Sequence, residues 1–499
     1  MSRPLILPLA IGFAAACGPP PETASLAIHD VTVIDPLSAQ VLPGHSVFIS
    51  DGRIVGIEPV GRRARLVASD TLDGSGRFVV PGLLDMHVHL FRDDRVAPPT
   101  LDLLLANGIT GFREMSSDCW DASAENAFCP DDLRALAENV EAGRWVSTRP
   151  LSISSLAING VSQRSGLPDG APRFLAPGTA EDGRELARWL NDRGIDVVKV
   201  YNSVPREAYF ALLEEANELD LEVSGHLPLG VSVVEASDAG HGTIEHARDL
   251  PVACGSYSEP YRAIMARVVD GERGADAPSA TERLRSTLDG FDASRCREVL
   301  ETLVANQTFL VPTHGTREMD YRAGDPAYRA DDRLRYVLPP IRAGWEADLD
   351  RTAQAPPALV ELFGAFYEIG LRTTRMAHDA GVSVMAGTDA NDTMVIPGFA
   401  LHDELARFAE SGIPTMDVLR TATTTPAAYL GRSGDIGTVS VGARADLLLL
   451  NADPLADITN TRAIESVLVG GTVQDRATLD ELLRGVEAAV AAWPGPAQP

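Results

Sequence analysis

Seven side chains have the types and the spacing for metal-assisted hydrolysis: His87, His89, Lys199, His226, His246, His314 and Asp389. In His87-Val88-His89 the two imidazoles stand two residues apart, so on a strand they turn to one face and can bind one metal ion. An H-x-H pair alone is a weak signal, but the other residues also sit at or just past the ends of short apolar runs. His226 and His246 can serve a second ion. Asp389 can ligate the first and take a proton from the attacking water. Lys199 is the only lysine in the chain, among 43 basic residues of which the other 42 are arginine. Arginine can replace lysine as a surface cation, but its guanidinium stays protonated and cannot react with CO2. A lysine amine can, giving a carbamate whose two oxygens can bridge two cations. Two ions about 3.5–4 Å apart, sharing a hydroxide, generate a nucleophile and polarise a carbonyl together.

These residues need a scaffold that brings strand ends to one place. The middle of the chain, 81–430, alternates strand-like and helical stretches. The strand candidates are 83–89, 109–114, 150–155, 196–201, 221–226, 242–246, 308–313 and 382–388. Helical patterns separate them at 130–142, 181–193, 205–219 and 230–239. Repeated strand–helix units imply parallel pairing, and eight of them fit an α/β fold of the distorted TIM, (β/α)8-barrel type, whose active sites lie at the C-terminal strand ends. A doubly wound open sheet is the alternative. Segments 250–305 and 315–370 read as helical insertions near the barrel mouth. The segments 26–80 and 431–473 carry short β-branched strands and turn signals, Asp51-Gly52 and Gly470-Gly471 among them. They predict a small composite β-sandwich domain built from both ends of the chain. Residues 474–499 read as a helical tail.

Composition limits the partners. The chain has 499 residues, is 45% hydrophobic and carries a formal charge of −27, so it can bury a large core and repels nucleic acid and anionic lipid. Residues 1–17 have a basic start, an apolar stretch too short to span a bilayer, and three alanines before Cys17. This is the layout of a bacterial lipoprotein signal peptide, with Cys17 acylated and 18–25 as a Pro-rich tether. An ordinary secretory signal is the other reading. Either exports the chain, to the periplasm or to the outer membrane as an anchored lipoprotein, with the lipid as its only membrane contact. The four remaining cysteines suit two disulfides in such a compartment, Cys119 with Cys129 and Cys254 with Cys296.

The strand-end motifs resemble the amidohydrolase superfamily, in its binuclear-metal branch. They are Pro81-Gly82-Leu83-Leu84-Asp85-Met86-His87-Val88-His89, Val197-Val198-Lys199-Val200-Tyr201, Ser224-Gly225-His226, Gly242-Thr243-Ile244-Glu245-His246 and Ala386-Gly387-Thr388-Asp389-Ala390. The resemblance runs from about residue 26 to 473 and is nearest to the imidazolonepropionase-like and prolidase-like group. It implies two divalent metal ions, zinc first among candidates that include manganese and cobalt, held by His87, His89, carboxylated Lys199, His226, His246 and Asp389. It also implies a hydrolase acting on an amide bond of a small peptide or N-acyl compound, in the manner of a dipeptidase or carboxypeptidase. Cyclic amides, lactones and esters use the same parts, and a mononuclear deaminase or a non-catalytic surface binding protein are the further alternatives. Many dipeptidase relatives carry a tyrosine two residues after the strand-5 histidine; here Pro228 stands there, and Phe112-Arg113-Glu114 replaces the usual Arg-Asp. Tyr201, Arg113, His314 and Arg317 are the expected oxyanion or substrate contacts, with a packed structural role for His314 weighed equally. His241 and His402 are expected to be structural, and His29, His45 and His378 to lie away from the site. The expected partner is a small-molecule substrate, and a homo-oligomer stays open.

Overall fold

The computed structural model describes residues 22–61, 65–90, 95–116, 129–167 and 170–494. The expected signal segment, Cys17 and Cys119 lie outside the described residues.

The two ends of the chain meet in one eight-stranded sheet. The first end supplies β1 (Glu22–Asp35), β2 (Gln40–Ser50), β3 (Arg53–Pro59), β4 (Leu66–Asp73) and β5 (Phe78–Pro81). Asp51 and Gly52 join β2 to β3 with φ of 51° and 74°, the paired left-handed geometry that an Asp-Gly hairpin turn requires. The other end supplies β13 (Leu447–Leu450), β14 (Ile464–Val469) and β15 (Thr472–Asp475), numbered in chain order after the seven strands below. β13 pairs antiparallel with β5, Leu448 opposite Val80 and Leu449 opposite Val79. Alternation then sorts the side chains. Leu447, Leu449 and Val79 join a core inside the β-rich part, whereas Leu448, Leu450 and Val80 join the main core of the molecule. Burial on both faces accounts for four consecutive leucines in one strand.

Seven parallel strands form the rest: β6 (Leu83–Val88), β7 (Ile109–Glu114), β8 (Arg149–Ile153), β9 (Val197–Val200), β10 (Glu222–Gly225), β11 (Thr243–Glu245) and β12 (Phe309–Val311). They fall into a three-stranded sheet, β6-β7-β8, and a four-stranded one, β9-β10-β11-β12. A bridge from Ser154 to Val197 links the two on one side. The segment 382–388, expected as a strand, carries a single isolated bridge, Val384 to Leu310, and a second, Ala390 to Val88, lies just past it. It still bonds to both neighbours: Met385 N–H donates to Leu310 (2.9 Å) and Met86 N–H donates to Ala386 (3.0 Å). Gly387 is closely packed: a side chain there would meet Val311 at 2.5 Å and His87 at 3.0 Å. Thr388 then gives its N–H and its hydroxyl to the Asp85 carboxylate, at 3.0 and 2.7 Å.

Helices follow the expected positions, three of the four with a capping box at the start. The helix expected at 230–239 begins at Val233, because Ser232 and Glu235 form a reciprocal capping box. The insertion 250–305 is helical, and the Cys254–Cys296 disulfide joins its two ends. Cys129 is also disulfide-bonded. The helix Arg476–Ala491 buries Val486 against Leu103 and Tyr336. Among the described residues no helix is long and apolar enough to cross a membrane.

His241 and His402 are buried packing residues, as expected. The His402 ring lies 2.9 Å from both the Thr461 hydroxyl and the Asn107 carbonyl. Burial lowers both rings to a pKa of about 4, against about 6.5 in an unfolded chain. Below pH 6.5 the unfolded chain therefore binds protons that the folded chain refuses, and stability falls as the pH drops toward 4. Each such histidine is expected to remove on the order of 2 kcal/mol between pH 7.5 and pH 5. Urea unfolding of His402→Gln at the two pH values checks this: the gap between the midpoints narrows if His402 contributes, and is unchanged if it does not.

Candidate active site

Four strand ends and the bridge segment deliver the components. β6 carries His87, with His89 just beyond it. β9 carries Lys199. His226 follows β10, His246 follows β11, and Asp389 follows the bridge segment beside β6. Three residues around the site sit in the left-handed region of backbone space: His246 at φ 65°, Thr313 at 45° and Asp389 at 67°. Non-glycine residues hold such angles at a cost of about 1–3 kcal/mol each, and only where the surroundings fix them. Asp389 N–H donates to the His87 carbonyl (2.8 Å) and His246 N–H to that of Val311 (2.8 Å), so neighbouring strands do the fixing.

The side chains converge. One Asp389 carboxylate oxygen lies 2.8 Å from His89 Nε2 and 3.3 Å from His87 Nε2, and the other lies 3.6 Å from His246 Nδ1. Lys199 Nζ is 2.8 Å from His87 Nε2, and the Nε2 atoms of His226 and His246 are 2.8 Å apart. The outer nitrogens are oriented by neighbours: His226 Nδ1 by Asn202 (3.0 Å) and His246 Nδ1 by Thr313 (2.7 Å). A cavity of about 560 Å³ is lined by His89, Lys199, His226, His246 and Asp389.

Burial sets the protonation. It lowers His87 to about 4, helped by the Lys199 charge, and holds His226 and His246 well below the usual histidine value. These three imidazoles are therefore neutral near pH 7. Burial also lowers the Lys199 amine to about 8. For Asp389 burial acts the other way, but the His87 and His246 rings, which gain positive charge as the pH falls, and a hydrogen bond from His89 outweigh it and keep the carboxyl well below its ordinary range.

These donors fit a metal. Among the described residues, His87, His246 and Asp389 form a group whose ligand atoms lie within 4.8 Å of one another. Two ligands at about 2.0–2.2 Å from one ion lie at most about 4.4 Å apart, so this group is close to the size of one coordination shell. Neutral imidazoles and an ionised carboxylate are the donor chemistry a divalent ion requires.

The substrate-side expectations divide. Tyr201 lines the cavity, its ring 4.0 Å from that of His226, and Arg317 lines it as well. Arg113 does not reach it. Its guanidinium is fully buried, donating to the Met86 carbonyl (2.8 Å), Thr243 (3.0 Å), Tyr429 (2.9 Å) and Glu245 (2.6 Å). His314 does not reach it either. It is buried with Nε2 on the Thr374 hydroxyl (3.1 Å) and its ring edge-on to Phe408, and it is a packing residue.

Sequence reasoning missed Asn202, Arg248 and Glu245. Arg248 also borders the cavity, gripped by Asp249 (2.7 Å), and donates to Asn202 (2.8 Å). The strand-end rule that found Lys199 and His246 reaches these two positions if it is extended by three residues. Glu245 accepts from His87 Nδ1 at 2.7 Å. Burial opposes its ionisation, but Arg113 and His87 hold it far below the usual carboxylate range.

The amidohydrolase family profile matches residues 184–473. A dihydroorotase of Pelotomaculum thermopropionicum is 43% identical over 65 residues, which is 13% of this chain and 14% of that protein. That match spans about one seventh of the relative's length, whereas a 5-methylthioadenosine/S-adenosylhomocysteine deaminase of Halobacterium salinarum is 24% identical over 402 residues, 77% of this chain and 75% of that protein. Among solved structures, a bottromycin amidohydrolase superposes with a TM-score of 0.66 at 22% identity, covering 94% of this chain and 92% of that one. A Xaa-Pro dipeptidase with bound methionine in its active site superposes with a TM-score of 0.62 at 18% identity, covering 90% and 99%. At these identities the likeness is one of fold.

Chelator-treated protein titrated with Zn²⁺ or Mn²⁺ is expected to melt at a higher temperature, since an ion at 100 times its Kd adds about 2.7 kcal/mol. Asp389→Asn is expected to show a smaller rise. Equal melting temperatures with and without ions would remove the metal site.

Proposed function

The chain belongs to the amidohydrolase family, and from that premise we propose that it is a metal-dependent hydrolase cleaving an amide bond in a small peptide or N-acyl compound. The observation that carries this reading is the position of Lys199, the sole lysine, 98% buried beside His87 and opening on the cavity. In this reading Lys199 is carboxylated by CO2. His87, His89 and Asp389 would hold one divalent ion and His226 and His246 a second, and the Lys199 carbamate would supply further oxygen ligands. Zinc leads the candidates. When bound, the ions supply Lewis acidity toward the substrate carbonyl and lower the pKa of water.

The chain's own residues do the rest. Asp389 is ionised and opens on the cavity, placed to take a proton on its carboxylate and return it to the departing amine nitrogen. Tyr201 and Arg317 border the same space and suit the carbonyl oxygen or a polar substrate group. The hydrogen bonds of segment 382–390 to β12 and β6, with the Ser154–Val197 bridge opposite, support reading the seven strands and this segment as one distorted (β/α)8 barrel, 81–430. The eight-stranded sheet is then the small β-domain of 26–80 and 431–473, and 474–499 its helical tail. The leader reading of residues 1–17 makes the enzyme an exported lipoprotein anchored through Cys17, and the Cys254–Cys296 disulfide suits an oxidising compartment.

A screen of dipeptides, N-acyl amino acids, cyclic amides and lactones with metal-loaded protein tests the substrate class; release from neither linear amide class would overturn it. Asp389→Asn is expected to lower kcat by about 10²–10⁴-fold. Lys199→Ala is expected to lose activity to a similar degree, with partial rescue by short carboxylic acids that stand in for the carbamate. Full activity in Lys199→Ala without rescue would contradict the bridging role.

A further inference from the structure

The buried polar chain beneath the cavity has no part in the chemistry above. Arg113 on β7 is fully buried and reaches four acceptors on three other elements. One of them, Glu245 at the end of β11, is fully buried too. One Glu245 oxygen accepts from Arg113 Nη2 at 2.6 Å and from the Thr243 hydroxyl; the other faces His87 Nδ1 at 2.7 Å. Beyond Arg113, the Tyr429 hydroxyl accepts from the guanidinium at 2.9 Å and donates to Glu222 at 2.6 Å. Every contact in this chain is side chain to side chain between separate elements, except Thr243–Glu245 within β11 and the Arg113 bond to the Met86 carbonyl.

The donors and acceptors in it admit one arrangement. A carboxylate paired with Arg113 can only accept, so the proton between Glu245 and His87 sits on His87 Nδ1. His87 Nε2 then carries the lone pair. Its other contact is compatible: Lys199 Nζ lies 2.8 Å from Nε2, where an ammonium can donate to that lone pair. Nε2 is also the His87 atom nearest Asp389, at 3.3 Å.

We propose that Glu245, held by Arg113, is a positioning residue for the metal centre: it fixes His87 as the Nδ1–H tautomer and aims the Nε2 lone pair at the ion. The inference rests on the metal-centre reading above and adds to it a residue that touches neither ion nor substrate. It also gives Arg113 a function in place of the substrate contact expected from sequence. A carboxylate behind a metal-binding histidine raises the basicity of the ring and locks its orientation, and losing such a partner weakens metal affinity by about 10–100-fold. Glutamine at 245 keeps the volume but can offer an N–H to Nδ1, which favours the opposite tautomer and places a proton on the ligating nitrogen.

Two measurements test this. Chelator competition with Zn²⁺ on wild type and on Glu245→Gln is expected to show one equivalent weakened by about 10–100-fold in the variant and the other retained. The visible spectrum of the Co²⁺-loaded variant is expected to change at that one site, a signature that mere loss of stability would not produce. Unchanged affinity for every ion, or loss of all ions together from a folded variant, would overturn the proposal. If Glu245→Gln does not fold, long-range ¹H–¹⁵N NMR of the metal-free wild-type protein decides the matter, with His87→Asn assigning the signal. A proton on Nδ1 and a bare Nε2 support the proposal, and a proton on Nε2 overturns it. Wild-type protein that takes up no ion would remove the hydrolase reading instead, while the tautomer would still report on Glu245.

Discussion

A lysine amine taken out of water must be neutral, paired or chemically changed, because a buried ammonium alone costs several kcal/mol. Lys199 is 98% buried at the end of β9, with burial lowering its pKa to about 8 and a histidine ring 2.8 Å from its nitrogen. Much of the site is arranged around that constraint. Asp389 and Glu245 contribute negative charge nearby, and the surrounding imidazoles are kept neutral by the same lack of water. In the proposed reading the constraint is resolved by carboxylation, which turns a misplaced cation into an anion between two ions.

The second condition is geometric. Donors from β6, β9, β10 and β11 and from the bridge segment must meet within a few ångströms, although up to 302 residues separate them along the chain (87 to 389). Parallel strands achieve this because their C-terminal ends lie together. The left-handed angles at His246, Thr313 and Asp389 then bend the chain back over the strand ends. The strain is borne by tight packing below, where Asp85 takes two bonds from Thr388 and Arg113 ties β7 to β6, β11 and the helix that carries Tyr429.

Much of this arrangement could be read in the sequence. His87, Lys199, His226, His246 and Asp389 follow short apolar runs, and such runs mark strand ends wherever burial on both faces makes strands continuously hydrophobic. The Asp51-Gly52 hairpin and the capped helix starts follow from local backbone chemistry, which needs no tertiary information. What sequence could not resolve depends on long-range contact. Arg113 looked like a substrate contact because a strand-end arginine is usually wet; its partners Glu245 and Tyr429 lie 132 and 316 residues away. His314 follows β12 as His246 follows β11, but its ring turns onto the helix Pro357–Ala380 instead of into the cavity. Segment 382–388 carried strand composition, but it is tied to β12 by an isolated bridge and to β6 by single hydrogen bonds, contacts that appear only once those strands are beside it.

Because Lys199 is the only lysine, the central claim can be read from a single resonance. Protein equilibrated with ¹³C-bicarbonate and divalent metal should show one slowly exchanging carbamate carbon by ¹³C NMR, absent from Lys199→Arg prepared in the same way. No carbamate signal in the metal-loaded wild-type protein, or one that persists in Lys199→Arg, would contradict the account.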